Sequence, residues 1–153
     1  MRDQRPERPP DFERNFPGCP IEVRRALSAL RRSLTQAAFD PCDISNAEIV
    51  LAEVLNNVVE HSYGGTSGPV ELQVWLDRDG ARFLVADAGT PLPGGRPPPA
   101  RAGVPCAEPA ALPEGGFGWQ LIRGLAEEID YVSYPERNRL RGRIRRRHRP
   151  APP

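Results

Sequence analysis

The chain has 153 residues, enough for one hydrophobic core, and its net charge of +1 indicates neither nucleic acid nor an acidic membrane as a partner. All 21 basic residues are arginine, which excludes mechanisms built on a lysine amine, such as the P-loop lysine or a Schiff base. Three scattered cysteines and two histidines match neither a disulfide framework nor zinc spacing, and no apolar run resembles a membrane span or a secretion signal. We therefore expect a cytoplasmic protein with reduced thiols.

The N-terminal part of the chain predicts a short strand and a helix. Residues 1–11 are charged and rich in proline, so we expect them to be disordered. Phe12–Phe16 alternates weakly, as a strand does, and Pro20 suits the first turn of a helix because its missing N–H costs nothing there. From Val23 to Ala38 apolar residues recur at helical spacing.

A second helix is predicted further along the chain. Asp40-Pro41 interrupts the helical spacing, and Ser45-Asn46-Ala47-Glu48 has the form of a capping box, which predicts that the helix begins there. Its core stripe comprises Leu51, Val54, Leu55 and Val58. We expect the helix to end near Ser62, because Gly64-Gly65 supplies the left-handed conformation that closes a helix.

Two strands and a long loop follow. Val70–Leu76 alternates, Ala81–Ala86 is suited to pair with it, and Asp79-Gly80 between them is typical of a hairpin turn. Closely spaced prolines exclude regular structure from residues 91–113. A loop of this length in a small domain is usually functional or disordered.

A third helix and a last pair of strands complete the chain. Trp119–Glu128 predicts a helix whose core face comprises Leu121, Ile122, Leu125 and Ile129. Ile129–Tyr134 and Leu140–Ile144 predict the strands, and residues 146–153 form a basic, flexible tail. The order β-α-α-β-β-loop-α-β-β predicts an α+β fold: a two-layer α/β sandwich with a mixed, mostly antiparallel sheet and helices on one face.

Three polar side chains recur every four residues on the second helix, namely Glu53, Asn57 and His61. They lie along one side of the helix, opposite its core stripe. Polar side chains at this spacing more often form a solvent-exposed surface than a functional site. Val50 falls on the same side, so this face is not simply wet. An amide oxygen suits Mg²⁺, and a carboxylate one turn earlier can accept a proton from an attacking hydroxyl.

Two glycine-containing segments offer further chemistry. Asp87-Ala88-Gly89 ends a predicted strand, and two interpretations are open. The segment is either a simple turn, or a site in which the carboxylate accepts the amine hydrogen of adenine and the glycine lets the base approach. Glu114-Gly115-Gly116-Phe117-Gly118 precedes the third helix, where it is either a flexible joint or a phosphate site formed by backbone N–H groups.

The order and spacing of these segments resemble the histidine-kinase-like (GHKL) ATPase superfamily, and within it the anti-sigma-factor serine kinases. The family's N-box resembles residues 52–63, its first glycine box residues 85–91, and its second residues 115–122. Asp130-Tyr131-Val132-Ser133-Tyr134, followed by Asn138-Arg139-Leu140, is similar to the family's last hairpin. The resemblance extends from about Phe12 to Ile144 and implies a Bergerat-type ATPase domain at residues 12–145.

The resemblance also implies roles for single residues. Glu53 would be the general base, and Asn57 the magnesium ligand. The nucleotide would be bound by a set drawn from all three segments: Asn57, His61, Asp87, Gly89, Gly116, Phe117 and Gly118. Residues 90–114 would form the ATP lid. The chain departs from the wider superfamily at Pro91, where a second glycine is usual, and its lid is unusually rich in proline.

The function that this resemblance implies is an ATP- and Mg²⁺-dependent serine/threonine protein kinase. Its substrate would be an anti-sigma-factor antagonist protein, it would also sequester a sigma factor, and it would form a homodimer through the first strand and first helix. Three alternatives stay open: a stand-alone histidine-kinase-like ATPase, a nucleotide-gated binding protein without phosphotransfer, and a nucleic-acid arm at residues 141–149. A solvated tail explains that last stretch better, because no aromatic residues interleave with its arginines.

Overall fold

The computed structural model describes residues 8–99 and 117–147, and within them the chain forms three α-helices and five β-strands. In chain order the elements are β1 Phe12–Pro17, α1 Pro20–Gln36, α2 Pro41–Asn57, a π turn Val58–Ser62, β2 Pro69–Asp77, β3 Gly80–Asp87, α3 Phe117–Leu125, β4 Glu127–Tyr134 and β5 Arg137–Arg145. A short 3-10 turn, Pro93–Gly95, follows β3.

The strands form one sheet in the order β1-β2-β3-β5-β4. The predicted α+β class and two-layer architecture are confirmed, and one detail differs. Each neighbouring pair of described strands is antiparallel, so the sheet is antiparallel rather than mixed. The connection from β3 to β4 passes β5 and carries α3, which packs against α2.

The main core lies between the helices and one face of the sheet. The side chains with the least exposure come from α1, α2, β2 and β3 and include Leu30, Leu34, Leu51, Leu55, Leu72 and Phe83. Burying a side chain of this size stabilises the fold by about 1.5–3 kcal/mol. The predicted core stripe of α2 is buried, and so is Val50, because α3 covers that side of the helix.

The second helix begins five residues earlier than predicted. Pro41 occupies its first turn, and the side chain of Asp40 accepts a hydrogen bond from the Cys42 N–H at 2.8 Å, which caps the helix. Ser45, predicted as the cap, therefore lies inside α2. The predicted end is confirmed, because helical structure continues through the π turn to Ser62.

The third helix is shifted toward the N-terminus relative to its prediction. It ends at Leu125 and β4 begins at Glu127, so Ile129 belongs to the strand. Ile122 is fully buried, whereas Leu121 is 41 % exposed, which corrects the predicted core face. Ile122 faces the main core, and Leu121, turned by about 100° from it, faces outward.

Residues 8–11 are part of the folded domain, contrary to the predicted disorder. The Trp75 Nε1–H donates to the Arg8 carbonyl at 3.0 Å, and the Leu76 N–H donates to the Asp11 carboxylate at 2.6 Å. The hydrogen bond from the Arg8 guanidinium holds the pKa of the Asp11 carboxyl below its ordinary value. Trp75 belongs to a small apolar cluster, with Leu84 and Ala86, on the sheet face away from the helices.

The beginning of the predicted basic tail is also folded. The Arg146 guanidinium lies 4.1 Å from the centroid of the Phe39 ring and donates to the Ala38 carbonyl. The backbone N–H of Arg146 donates to the Asp79 carbonyl at 2.8 Å, and that of Arg147 to the Asp43 carboxylate at 2.9 Å. The rest of the predicted tail, residues 148–153, lies outside the described residues.

Candidate functional site

The first residue of the site is Glu53, which meets the beginning of α3. A Cβ built on Gly118 would lie 2.6 Å from Glu53 Oε2 and 3.8 Å from Asn57 Nδ2. Gly118 therefore lets the backbone of α3 approach the polar side of α2. Two of the three predicted segments meet at this point, and a carboxylate and an amide from α2 lie against the N-terminal turn of α3.

Asn57 carries an unsatisfied polar atom. Its Nδ2 is buried and receives no hydrogen-bond partner from the described residues. A buried polar group without a partner costs about 1–3 kcal/mol, so a fold that keeps one at a predicted ligand position suits a bound group there. The orientation of a side-chain amide, with its nitrogen and oxygen in one order or the other, is assigned from its hydrogen-bonding surroundings. Rotating the Asn57 amide by half a turn would present its oxygen to a hard cation.

The third predicted segment supplies a buried carboxylate, Asp87, at the end of β3. Its Oδ1 accepts hydrogen bonds from Asn138 Nδ2 at 3.0 Å and from the Gly89 N–H at 2.9 Å. Asn138 also donates to the Gly89 carbonyl at 2.9 Å and accepts from the Ser133 hydroxyl at 2.9 Å. Within the described chain no hydrogen bond ends on Asp87 Oδ2, which leaves that oxygen for a donor such as the adenine amine.

Gly89 has a packing role in addition to the one predicted. A Cβ at this position would overlap the carbonyl oxygen of Ser62, at the end of the π turn. The next residue, Thr90, donates its backbone N–H to that same carbonyl at 2.8 Å. The absence of a side chain at Gly89 thus allows the loop after β3 to join the end of the N-box helix.

Two tyrosines fix the loop around Asp87. The Tyr63 hydroxyl accepts from the Ala88 N–H at 2.9 Å and donates to the Pro69 carbonyl at 2.6 Å. The Tyr131 hydroxyl accepts from the Leu92 N–H at 2.9 Å. Burial, with a smaller contribution from the Asp87 carboxylate, raises the pKa of both phenols above the ordinary value, so both stay protonated near neutral pH.

His61 lies in the π turn, where the Tyr63 N–H donates to the Val58 carbonyl at 3.0 Å. Turns of this kind are rare in proteins, and those that occur are often found at functional sites. The His61 side chain is exposed, and together with Asn57 and Gly118 it lines a cavity of about 530 Å³. The structure therefore places His61 at the rim of the space next to Asn57.

That cavity adjoins a much smaller space near Asp87. The larger cavity is walled by residues 90–93, Pro98, Pro99 and Arg123 in addition to the helices. The smaller one, about 30 Å³, extends from Asn57 to Asp87 and is lined by Leu92 and Trp119. It has room for a water molecule or two and none for an adenine ring, so binding of a nucleotide requires Leu92 or Trp119 to move.

A still larger cavity, about 690 Å³, lies near the C-terminal end of β3. Its lining includes Asn15, Glu71, Ala88 and Arg137, and of the predicted site residues it includes Asp87. Two of the polar side chains in its wall pair with each other, Arg137 with Glu71. The chemistry predicted from the sequence thus lies in the smaller spaces between α2, α3 and β3.

Some predicted residues are not tested by this geometry. Gly116 and residues 100–114 of the predicted lid lie outside the described part of the chain, and for Phe117 the backbone alone is described. Other contributors were missed by sequence reasoning, namely Tyr63, Trp119, Arg123, Tyr131 and Asn138. Asn138 was within reach of prediction, because it lies in the segment quoted for the last hairpin.

No group of three or more His, Cys, Asp or Glu side chains converges within residues 8–99 and 117–147. Three groups would fit ATP with Mg²⁺, namely the Asn57 amide, the Asp87 oxygen and the backbone of the α3 N-terminus. The unsatisfied amide of Asn57 and the contact at Gly118 support this fit. None of the helices in the described part of the chain combines the length and apolar character needed to cross a bilayer.

Comparisons with known proteins bear on the family to which the chain belongs. The family model described as "Histidine kinase-like ATPase domain" matches residues 16–144. The serine-protein kinase RsbW of Bacillus cereus (strain AH187) is 26% identical over 113 residues, covering 73% of this chain and 69% of that protein.

A solved structure that contains the RsbU and RsbW domains of a Mycobacterium tuberculosis protein superposes with a TM-score of 0.58 at 17% identity. The match covers 90% of this chain and 34% of that one, so it spans about a third of the solved chain and bears on the fold alone. The family match covers most of the sequence, and its three boxes meet in space. This chain therefore belongs to the histidine kinase-like ATPase domain family, within which it is similar to the anti-sigma-factor serine kinases.

Proposed function

We propose that this protein is an ATP-dependent serine/threonine protein kinase of the anti-sigma-factor type. Its substrate is a hydroxyl on a small antagonist protein, and the same protein sequesters a sigma factor. The observation that carries the proposal is the position of the Glu53 carboxylate, against Gly118 at the start of α3 and one turn before the unsatisfied Asn57 amide. The similarity to the serine-protein kinase RsbW of Bacillus cereus supports the same activity.

The adenine end of the nucleotide is assigned to Asp87. Asn138 and the Gly89 N–H hold Oδ1, which orients the carboxylate and leaves Oδ2 to accept a hydrogen bond from the adenine amine. A base without an amine at that position, such as guanine, would leave Oδ2 without this donor, and the mismatch favours adenine. Leu92 and Trp119 move aside to admit the ring.

The phosphate end is assigned to the beginning of α3 and to Asn57. Backbone N–H groups in the first turn of a helix have no partners within the helix and attract anions. The Asn57 amide oxygen is a suitable ligand for a magnesium ion shared with the phosphates. ATP supplies the phosphoryl group, and Mg²⁺ offsets the negative charge that repels an incoming hydroxyl.

Glu53 acts as the general base. Its carboxylate accepts the proton of the attacking serine or threonine hydroxyl. The carboxylate can do so because it lies between α2 and the start of α3, beside the position proposed for the phosphates. Because phosphoryl transfer depends on positioning and charge rather than on a covalent intermediate, this compact site is sufficient. A protein that only bound the nucleotide would have no use for a carboxylate at Glu53.

We further propose that the kinase is a cytoplasmic homodimer that associates through α1 and β1. β1 is an edge strand of the sheet, which leaves one row of its backbone groups for a second copy. Cys19 and Cys42 are free, as suits a reducing compartment. Sedimentation at increasing protein concentration tests the dimer, and a monomer at high concentration would contradict it.

The test of the proposed activity is transfer of label from γ-labelled ATP to candidate antagonist proteins. We expect label on a serine or threonine of one such protein. Glu53→Gln should retain ATP binding and lose about 100-fold or more of the transfer rate, as expected for loss of a general base. Glu60→Gln, an exposed carboxylate seven residues further along the chain, is the matched control and should transfer normally. An unchanged rate in Glu53→Gln would leave that residue a structural role.

A further inference from the structure

The 530 Å³ cavity next to Asn57 is lined by one arginine, Arg123. The family resemblance assigns no role to this residue. Arg123 lies on α3 one turn after Trp119, and both residues line the 530 Å³ cavity with Asn57 and His61. The Arg123 Nη2 donates to the Pro98 carbonyl at 2.6 Å. A guanidinium therefore reaches across the space between α3 and the proline-rich segment.

Arg123 is available for a new anionic partner. In residues 8–99 and 117–147 no carboxylate pairs with it, whereas Arg25 pairs with Glu22 at 2.5 Å and Arg31 with Glu48 at 2.7 Å. Its described partner is a neutral carbonyl at an exposed position. Exchanging the carbonyl for a phosphate oxygen would replace a neutral acceptor with a charged one, which strengthens the hydrogen bond from the guanidinium.

The composition of the chain limits which cations can bind phosphate. The sequence has no lysine, so a lysine ammonium cannot contribute to a nucleotide triphosphate site. Glu53 and Asp87 bring negative charge to the same site, which opposes binding of a polyanion. Among the residues that line the cavity, the cationic side chains to offset it are Arg123 and, when protonated, His61.

We propose that Arg123 binds the phosphate chain of the nucleotide and releases the Pro98 carbonyl when it does so. The inference rests on the proposed function and adds to it a phosphate-binding cation outside the three family boxes. It also connects the nucleotide to the segment after β3, because one guanidinium serves either the carbonyl or the phosphates. The fork of the guanidinium suits phosphate oxygens in a way that a point charge does not.

The test compares ATP with adenosine in equilibrium titrations of the full chain. In Arg123→Gln we expect ATP affinity to fall about tenfold, as for loss of one charge-assisted hydrogen bond, and adenosine affinity to stay unchanged. The dependence of ATP affinity on salt should also weaken, because one charge no longer faces the phosphates. Arg123→Lys keeps the charge without the fork and should lose less affinity. Arg78→Gln, an exposed arginine in the turn between β2 and β3, is the control and should bind as the wild type does.

The possible outcomes separate the two proposals. Equal ATP affinity in Arg123→Gln and the wild type, with equal salt dependence, would overturn the assignment of Arg123 and leave the kinase proposal standing. Equal losses for ATP and adenosine would also overturn it, since they would indicate a structural role in α3. Failure of the wild type to bind ATP at all would instead contradict the proposed function on which this inference rests.

Discussion

At the scale of single residues, the site is recognisable by polar atoms that the fold leaves without partners. Asn57 Nδ2 is buried and unsatisfied, and Asp87 offers an oxygen that no described residue engages. A buried group without a partner, as at Asn57, reduces stability by about 1–3 kcal/mol, and a ligand that completes its hydrogen bond would remove that cost. Asn138, which holds Asp87, has both its amide nitrogen and its amide oxygen hydrogen-bonded.

Asn57→Ala should separate binding from stability. We expect the variant to lose Mg²⁺-dependent ATP binding, because it removes the amide oxygen assigned to the metal. The free energy of unfolding without nucleotide should change by no more than about 1 kcal/mol, because the substitution also removes an unsatisfied buried group and alanine favours the helix. Calorimetry of ATP binding and chemical unfolding measure the two quantities.

The control for this variant is Asn56→Ala, one residue earlier on the exposed side of α2. It should bind ATP normally and unfold with nearly unchanged stability. Unchanged ATP affinity in Asn57→Ala would remove the metal assignment. A large loss of stability would show instead that the Asn57 amide has a structural partner in the folded protein.

At the scale of elements, α3 controls access to the site. Gly118 at its start touches Glu53, Trp119 fills the space that leads to Asp87, and Ile122 anchors the helix in the core. Because the space between Asn57 and Asp87 holds no more than a water molecule or two, adenine at Asp87 would have to displace Trp119 or Leu92. The proposed binding of a nucleotide therefore includes a rearrangement of α3 or of the loop after β3.

Tryptophan fluorescence reports this rearrangement. The chain has two tryptophans, and Trp75 lies on the sheet face away from the helices. We expect ATP to change the emission of the wild type and of Trp75→Phe, since Trp119 loses its packing against the wall of the site. The change should vanish in Trp119→Phe while ATP binding itself, measured by calorimetry, persists. An unchanged spectrum in Trp75→Phe at saturating ATP would show that Trp119 stays in place.

The helices and strands could be predicted from the sequence, but their boundaries were predicted less accurately. Periodicity located all three helices and five strands. The start of α2 was misplaced because Asp40-Pro41 is equally suited to interrupt a helix and to begin one, and here the aspartate caps it. The register of α3 was misplaced because a nine-residue helix has too few apolar positions to distinguish Leu121 from Ile122 as its inward side.

At the scale of the whole molecule, the site depends on contacts between segments that are distant in the chain. Residues 53–63, 87–92 and 118–123 meet because the sheet order places β3 under α2 and because the connection to β4 places α3 beside α2. Spacing alone did not predict this meeting; the ordered resemblance to a family did. The links from Tyr63 to Ala88 and from Tyr131 to Leu92 could not be predicted, since they depend on the register of three strands.

The two half-buried phenols, Tyr63 and Tyr131, make the stability of the folded protein depend on pH in the alkaline range. Burial is the first cause of the raised pKa of Tyr63 and Tyr131, with the Asp87 carboxylate adding to it. The folded protein therefore holds these protons more tightly than the unfolded chain, in which a tyrosine ionises at about pH 10. The stabilisation is complete below that pH and is lost as the pH rises through the pKa of the folded state.

Tyr131→Phe tests this dependence. Near neutral pH the variant should be less stable than the wild type, because the Leu92 N–H loses its acceptor. Above about pH 10 the wild type alone has the cost of keeping Tyr131 protonated, so the difference in free energy of unfolding should shrink as the pH rises. Chemical unfolding at several pH values on both sides of this point measures the difference. A gap that stays constant or widens would show that the Tyr131 phenol titrates as freely in the folded protein as in the unfolded chain.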